Sequence, residues 1–210
     1  MAELKVNPTR MVLLKLRKRH VLARRGHKLL KDKLEGLVQE FMPIVEQYGT
    51  LREQVDRELP ESLAQFAVAG ASSGDESIAA AIEECDVKLD IEFGQKLVMS
   101  VPVPVLTLTG FQLKSSYSMV ATTSDFDKAA GSLRDVFPRI LKLAELEEAV
   151  LRLAAEIEKT RRRVNALEYV LIPQLARAIK GISSKLDEAE RAGRARLMKI
   201  KDMLRTASGA

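Results

Sequence analysis

Two stretches of the 210-residue chain repeat apolar residues at alternating steps of three and four, and this periodicity constrains the fold more than any other feature. Such spacing places one apolar stripe along an α-helix and is typical of helices that pair in a left-handed coiled coil. The N-terminal seam consists of Leu13, Leu16, His20, Ala23, His27, Leu30, Leu34, Leu37, Phe41, Ile44, Tyr48, Leu51 and Val55. The C-terminal seam consists of Leu143, Leu146, Val150, Leu153, Ile157, Thr160, Val164, Leu167 and Leu171.

Two long helices with one apolar stripe each bury those stripes most simply by folding back on each other. The composition agrees, because aromatic residues make up only 4% of the chain and charged residues 30%, which leaves few bulky side chains for a globular core. We therefore predict a mostly α-helical fold. In it, an N-terminal helix in residues 1–66 and a C-terminal helix in residues 125–210 form a long antiparallel two-helix coiled coil.

The C-terminal helix changes its apolar rhythm after Leu171. The later apolar or small residues follow an eleven-residue period, which relaxes or reverses a left-handed supercoil. They are Ala178, Ile182, Leu186, Ala189, Gly193, Leu197, Ile200 and Leu204. We expect the change of period to alter the local twist and stiffness of the coiled coil.

The middle segment, residues 67–124, has a different character. Ala67–Gly74 is rich in small residues and is predicted to be a linker. A short helix is predicted to begin at Asp75. A β-hairpin is predicted at about residues 86–108, because Asp86–Phe93 alternates polar and apolar residues.

Within this hairpin, Gly94 and Gln95 are predicted to form the tight turn. Pro102 and Pro104 lie two residues apart, so their missing N–H donors face the same side of the second strand. That strand is therefore predicted to be an edge strand.

Basic residues are concentrated near both ends of the chain, which antiparallel folding brings together. Residues 10–33 hold ten Lys or Arg against one acidic residue, a net charge of +9, and residues 177–205 hold nine against four, a net charge of +5. The whole chain carries a net charge of only +5, so its positive charge is concentrated in these two segments. The end of the coiled coil that contains both segments is therefore predicted to form a basic tip that docks on an acidic or phosphate-bearing surface. The basic-tip candidates are Arg10, Lys15, Arg17, Lys18, Arg24, Arg25, Arg191, Arg194 and Arg196.

Three consecutive arginines occur within the C-terminal seam without taking a seam position. Arg161 and Arg163 flank the seam and Arg162 falls on the outer side, where Asn165, Tyr169 and Ile172 continue a second stripe. One interpretation is a solvated charge run whose arginine stems reach over the seam. The other is a partner-binding stripe, whose contact candidates are Arg161, Arg162, Arg163, Asn165, Tyr169 and Ile172.

The residue types that usually carry catalysis form no recognisable set in this sequence. His20 and His27 lie seven residues apart, about two helical turns, which is too far to share a metal ion unaided. Cys85 is the single cysteine; it cannot form an internal disulfide and fits a reducing compartment. We therefore expect a cytoplasmic protein that is not an enzyme, uses no metal or cofactor and does not insert into a membrane.

Three motifs together resemble one known family. They are NPTRM at Asn7–Met11, RRGHKLLKDK at Arg24–Lys33 and EKTRRRVNALEYVLIPQL at Glu158–Leu175. The motifs closely resemble the D subunit of the V-type (archaeal and vacuolar) rotary ATPases, and the resemblance covers both long helices in the right order.

This resemblance implies a non-catalytic rotor subunit of the central stalk. The end bearing both termini would enter the ring of alternating A and B subunits. The β end would project toward the membrane sector, where it would meet the F subunit of the stalk and the funnel-shaped C subunit, called d in eukaryotes. The protein would couple ATP hydrolysis or synthesis to proton or sodium translocation, peripheral to the membrane within the soluble V1/A1 sector and central stalk, without binding nucleic acid.

Two other functions are compatible with the coiled coil and its charge. A basic-tipped coiled-coil arm can bind RNA or DNA through phosphate contacts, although few aromatic residues are available there for base stacking. A scaffold would instead associate with itself through the seam.

Overall fold

The computed structural model describes residues 7–114 and 122–208, and these are mostly helical, as the sequence predicts. The elements in chain order are α1 (Arg10–Ser73), α2 (Asp75–Glu84), β1 (Asp86–Val98), β2 (Val101–Lys114), α3 (Ser124–Asn165), a π-helix (Ala166–Leu171) and α4 (Ile172–Ser208). The chain divides into two compact units. We call Met1–Leu34 with Lys159–Ala210 the terminal unit and Glu35–Glu158 the middle unit.

The predicted seams are the buried faces of the long helices. Every residue of the N-terminal and C-terminal seams is buried or half-buried. Pro43 and Pro60 lie inside α1, but both are exposed, so their missing N–H groups face away from the seam. At the start of α1, the Thr9 hydroxyl accepts a hydrogen bond from the Val12 N–H (3.3 Å) and so caps one donor of the first turn.

In the terminal unit, α1 and α4 pack antiparallel around one apolar cluster. Its buried members are Leu16 and Ala23 from α1 and Leu175 and Ile182 from α4. The direction follows from two contacts between helix flanks: Arg10 pairs with Glu190, whereas His27 lies against Glu168. Residues later in α1 therefore meet residues earlier in the C-terminal half, as in a helical hairpin.

In the middle unit, α1 packs antiparallel against α3. Arg139 pairs with Glu58, and the Ser132 hydroxyl donates to the Gln65 side chain (2.9 Å). A cluster of Leu37, Val101 and Leu153 joins both helices to the hairpin, and Phe41, Ile44, Val98 and Ile157 pack around it. The hairpin is thus anchored on the helices by the valines next to its turn.

The hairpin turn lies five residues later than predicted. β1 and β2 pair antiparallel, Gly94 sits within β1 opposite Val105, and the turn is formed by Met99 and Ser100. Their φ angles of 47° and 69° give a two-residue turn that usually selects Asn-Gly, so the local sequence pointed to Gly94 instead. Tertiary contacts decide the position, because the Met99 side chain packs over Gly36 of α1, which has no Cβ to obstruct it.

The small-residue stretch predicted to be a linker is also helical. α1 continues through it to Ser73, and only Gly74, with φ of +82°, interrupts the helical conformation before α2. Ala69 is buried against Ala81 of α2 and Phe126 of α3. Small side chains here allow three helices to approach closely, so they serve packing and not flexibility.

The prediction that the second strand is an edge strand is confirmed, since β2 pairs only with β1 among the described strands. Two side chains of α3 hydrogen-bond to its backbone. The Glu145 carboxylate accepts the Leu106 N–H (3.1 Å), and Arg152 donates to the Pro102 carbonyl (3.0 Å). These two side chains make hydrogen bonds to β2 backbone groups that a further strand would otherwise bind, and they hold the hairpin against α3.

Candidate functional site

The terminal unit includes a C-terminal segment of α4 whose apolar side chains are exposed. Arg10, the first residue of α1, pairs with Glu190, and α4 continues from Arg191 to Ser208, about 27 Å at ~1.5 Å per residue. Its apolar residues Leu197, Met198, Ile200, Met203 and Leu204 are 52% to 68% exposed. An apolar stripe this exposed on a paired-helix protein marks an interaction surface.

This extension also limits the predicted eleven-residue seam. Ala178, Ile182 and Leu186 pack in the cluster between α1 and α4, as the pattern indicates. Leu197 and Ile200 continue the same stripe but are exposed, and they follow Glu190, which pairs with Arg10 at the start of α1. The stripe is therefore a buried seam in its first half and an open surface in its second.

All nine basic-tip candidates belong to the terminal unit and are exposed. Arg10 and Arg194 both pair with the carboxylate of Glu190. The antiparallel packing thus brings the basic segments of α1 and α4 onto one unit, as predicted from the charge pattern. Basic residues concentrated on one unit give it a positive electrostatic potential.

The second candidate surface surrounds the π-helix. Arg161, Arg162, Arg163 and Asn165 are exposed, and Tyr169 within the π-helix is 70% exposed. Ile172 instead packs half-buried against the cluster of the terminal unit. The structure therefore brings five of the six partner-contact candidates to the surface, while the sixth lies partly inside.

The π-helix explains the inward position of Ile172. The Ile172 N–H donates to the Leu167 carbonyl, five residues back instead of four. Such a turn rotates the chain less per residue than an α-helix, so residues after Tyr169 fall on a different face from the one that the α-helical pattern gives.

Sequence reasoning missed two residues at this π-helix. Leu175 is buried in the seam, and Val170, beside Tyr169, is 52% exposed. A signal was present, since Leu167, Leu171 and Leu175 are separated by two successive steps of four. Two successive steps of four contain one residue more than the alternating steps of three and four of the seam. A π-turn is one way for a helix to include that additional residue while the apolar side chains stay on one face.

The two seam histidines have different surroundings. Nε2 of His27 lies 3.3 Å from the Glu168 carboxylate, on the π-helix. Nε2 of His20 is buried and has no hydrogen-bond partner among the described residues. The histidines therefore do not act as a pair, in agreement with their spacing in the sequence.

The described residues do not cluster the side chains that ligate metal ions. They contain no group of three or more His, Cys, Asp or Glu side chains that could hold a metal ion. Burial, together with the charge of Glu84, raises the pKa of the half-buried Cys85 thiol, which disfavours a reactive thiolate. Among the described helices, none combines the length and apolar content that crossing a bilayer requires.

Comparison with known proteins identifies the family. The family model for the ATP synthase D subunit matches residues 12–202. The chain is 46% identical to the V-type ATP synthase D subunit of Acetivibrio thermocellus over 208 residues, covering 97% of this chain and 94% of that protein. It is 47% identical to the V-type ATP synthase D subunit of Thermoanaerobacter sp. strain X514 over 206 residues, covering 97% and 99%. It is 39% identical to the A-type ATP synthase D subunit of Thermococcus sibiricus over 204 residues, covering 96% and 95%. The chain therefore belongs to the family of ATP synthase D subunits.

Proposed function

We propose that this protein is the central rotor shaft of a V-type rotary ATPase. It couples ATP hydrolysis or synthesis in a ring of A and B subunits to proton or sodium translocation through the membrane ring. The exposed extension of α4 after Glu190 is the observation that carries this proposal. It combines an exposed apolar stripe with basic flanks, and a helix of this kind is suited to enclosure by a surrounding protein collar.

The role of the shaft is mechanical, so the protein needs no catalytic residues. ATP-driven changes in the shape of the ring cavity push an asymmetric shaft to a new angle, and ion flow drives the reverse. A shaft must resist fraying, and the continuous seams of buried and half-buried residues provide this resistance. It must also have distinguishable sides, which the unevenly distributed charges supply.

The stalk partners in this proposal are the F subunit and the funnel-shaped C subunit, called d in eukaryotes. The arginines at positions 161–163, with Asn165 and Tyr169, form an exposed surface suited to a protein partner. The hairpin presents a further apolar surface, since Phe93 is 82% exposed. In this arrangement the protein is peripheral to the membrane, within the soluble V1/A1 sector and central stalk, and it inserts no helix of its own.

The test is native mass spectrometry of the chain mixed with the A, B and F subunits of the same organism, with a nucleic-acid competitor present. We expect one copy of the chain per ring, together with the F subunit, regardless of the competitor. Salt-sensitive binding to the nucleic acid without ring assembly would instead support a basic nucleic-acid-binding arm. Self-association through the seam would support a scaffold.

A matched pair of variants tests the α4 extension. Changing Leu197, Ile200 and Leu204 together to Ser should weaken ring binding by at least about tenfold, because three exposed apolar contacts are lost without disturbing a core. The control changes three similarly exposed residues of the middle unit, Leu63, Val68 and Leu151, to Ser. Equal ring binding by both variants would argue against insertion of the extension.

A further inference from the structure

One flank of the helix pair in the terminal unit contains a cleft of about 560 Å³. It is lined by Arg17, His20, Val21, Ala176, Ile179, Lys180, Ser183 and Ser184. The spacing of these residues, three and four apart on each helix, shows that the cleft follows one side of the seam. None of the described residues that line it is acidic.

The two cations of the cleft have no partner within the described part of the chain. Arg17 and Lys180 are both exposed and neither forms an ion pair or hydrogen bond there. Other cations of the same unit do find a carboxylate, since Arg10 and Arg194 share Glu190. The cleft therefore holds two positive charges that nothing in the described structure neutralises.

The serine and histidine side chains of the cleft also lack hydrogen-bond partners among the described residues. Serine hydroxyls inside helices commonly donate to a carbonyl one turn back, as Ser62 and Ser132 do here. Ser183 and Ser184 make no such bond in the described structure. Nε2 of His20 is also without a partner among the described residues. The two serine hydroxyls are thus available to an incoming acceptor.

We propose that this cleft receives a carboxylate side chain, flanked by apolar residues, from a protein partner of the terminal unit. Arg17 supplies a planar fork that matches a carboxylate, and Lys180 supplies a second positive charge. The walls formed by Val21, Ala176 and Ile179 are aliphatic and favour a ligand with a hydrocarbon stem. A free phosphate ion, which is strongly hydrated, would leave these walls uncovered.

This inference rests on the proposed function in one respect, namely that the partner is the ring of A and B subunits. The ring would then hold the shaft through a specific acidic contact on one flank, in addition to the apolar contacts of the α4 extension. A contact on one flank gives the shaft a defined angular position within the ring.

The first experiment reverses the charges of the cleft. We expect the double variant Arg17→Glu, Lys180→Glu to bind the ring at least about tenfold more weakly, because a carboxylate entering the cleft would meet two like charges. The control, Arg19→Glu, Lys185→Glu, makes the same charge change on exposed positions of the same helices outside the cleft. It should weaken binding much less, although the net charge is identical. Equal weakening by both variants would overturn the proposal, since it would show a general effect of charge.

The second experiment identifies the carboxylate directly. A carbodiimide joins a lysine amine to a carboxylate in contact with it through a new amide bond. The carboxylate loses one oxygen atom, which the carbodiimide takes up as it becomes a urea. In the assembled complex, mass spectrometry should find Lys180 joined to an Asp or Glu of the ring, and Lys185 should not be joined to the same residue. Absence of a Lys180 product in an assembled complex would overturn the inference while leaving the proposed function intact.

A third outcome concerns the ligand class. Inorganic phosphate that protects Lys180 from acylation in the isolated chain, together with no Lys180 product in the complex, would assign the cleft to a free anion and contradict our proposal. Failure of the unmodified chain to enter the ring would instead refute the proposed function itself. The two failures are therefore distinguishable.

Discussion

Replacing His20 with leucine should stabilise the protein. His20 occupies a seam position between Leu16 and Ala23, and its Nε2 is buried without a hydrogen-bond partner among the described residues. A buried polar atom that has lost its water without gaining a partner is unfavourable by about 1–3 kcal/mol. Leucine has no such atom and is the residue that seams of this kind usually contain.

The size of the effect follows from this one atom. We expect His20→Leu to raise the free energy of unfolding by roughly 1 kcal/mol, the lower end of the range, because leucine packs somewhat differently from imidazole. For a chain of about this length, 1 kcal/mol corresponds to an increase in Tm of about 2–4 °C. The second seam histidine provides the control. His27 lies 3.3 Å from Glu168, so His27→Leu removes a polar contact and should gain less or lose stability.

The assay is urea unfolding of the isolated chain, followed by circular dichroism, for the native protein and both variants in the same buffer. His20→Leu should have the highest midpoint, with an unchanged dependence on denaturant. A midpoint below that of the native protein would refute the reasoning. It would show that the imidazole of His20 makes a favourable interaction that outweighs the cost of burying Nε2.

Three further predictions address other parts of the molecule. Reversing Arg161, Arg162 and Arg163 together to Glu should weaken co-purification of the stalk partners while helicity is retained, since all three are exposed; unchanged co-purification would count against a partner surface there. Changing Glu145 to Ala should accelerate hydrogen exchange of the Leu106 amide by about tenfold or more, because that N–H loses its acceptor; an unchanged rate would show that the carboxylate does not hold β2. Since burial raises the pKa of the Cys85 thiol, its alkylation by iodoacetamide should require a higher pH in the folded chain than in the urea-unfolded chain, and the same pH dependence in both would contradict this. The folded state favours the neutral thiol, so the contribution of Cys85 to stability should be present below the pKa of the unfolded thiol and decrease as the pH rises.

The sequence by itself determined the helix pair. The seams follow from a repeat that is visible within a few turns of helix, and burying an apolar stripe is a requirement that any fold of this chain must meet. The same pattern assigned Arg161, Arg162 and Arg163 to the surface, because no arginine took a seam position, and the structure agrees. A β-hairpin between the helices was also predictable, since alternation over eight residues is a local signal.

Tertiary contacts decided where the predicted elements begin, turn and end. The hairpin turns at Met99 because that side chain packs over Gly36, far away in the sequence, while Gly94 offered the stronger local turn signal. Ala69 is helical because two other helices pack against it. In each case the free energy of a contact with a residue distant in sequence outweighs a weak local conformational preference. The neighbouring residues in the sequence give no sign of that contact.

The candidate surfaces divide in the same way. Charge and exposure could be predicted from the sequence, because they depend on residue type and helical phase. Three features could not: the inward turn of Ile172 at the π-helix, the exposure of the apolar stripe of α4 after Glu190, and the cleft between Arg17 and Lys180. The first depends on the π-turn, in which the Ile172 N–H donates to the Leu167 carbonyl. The other two depend on the register between α1 and α4, and a periodic seam leaves that register open because several alignments bury similar apolar area. Only the folded pair selects one of them.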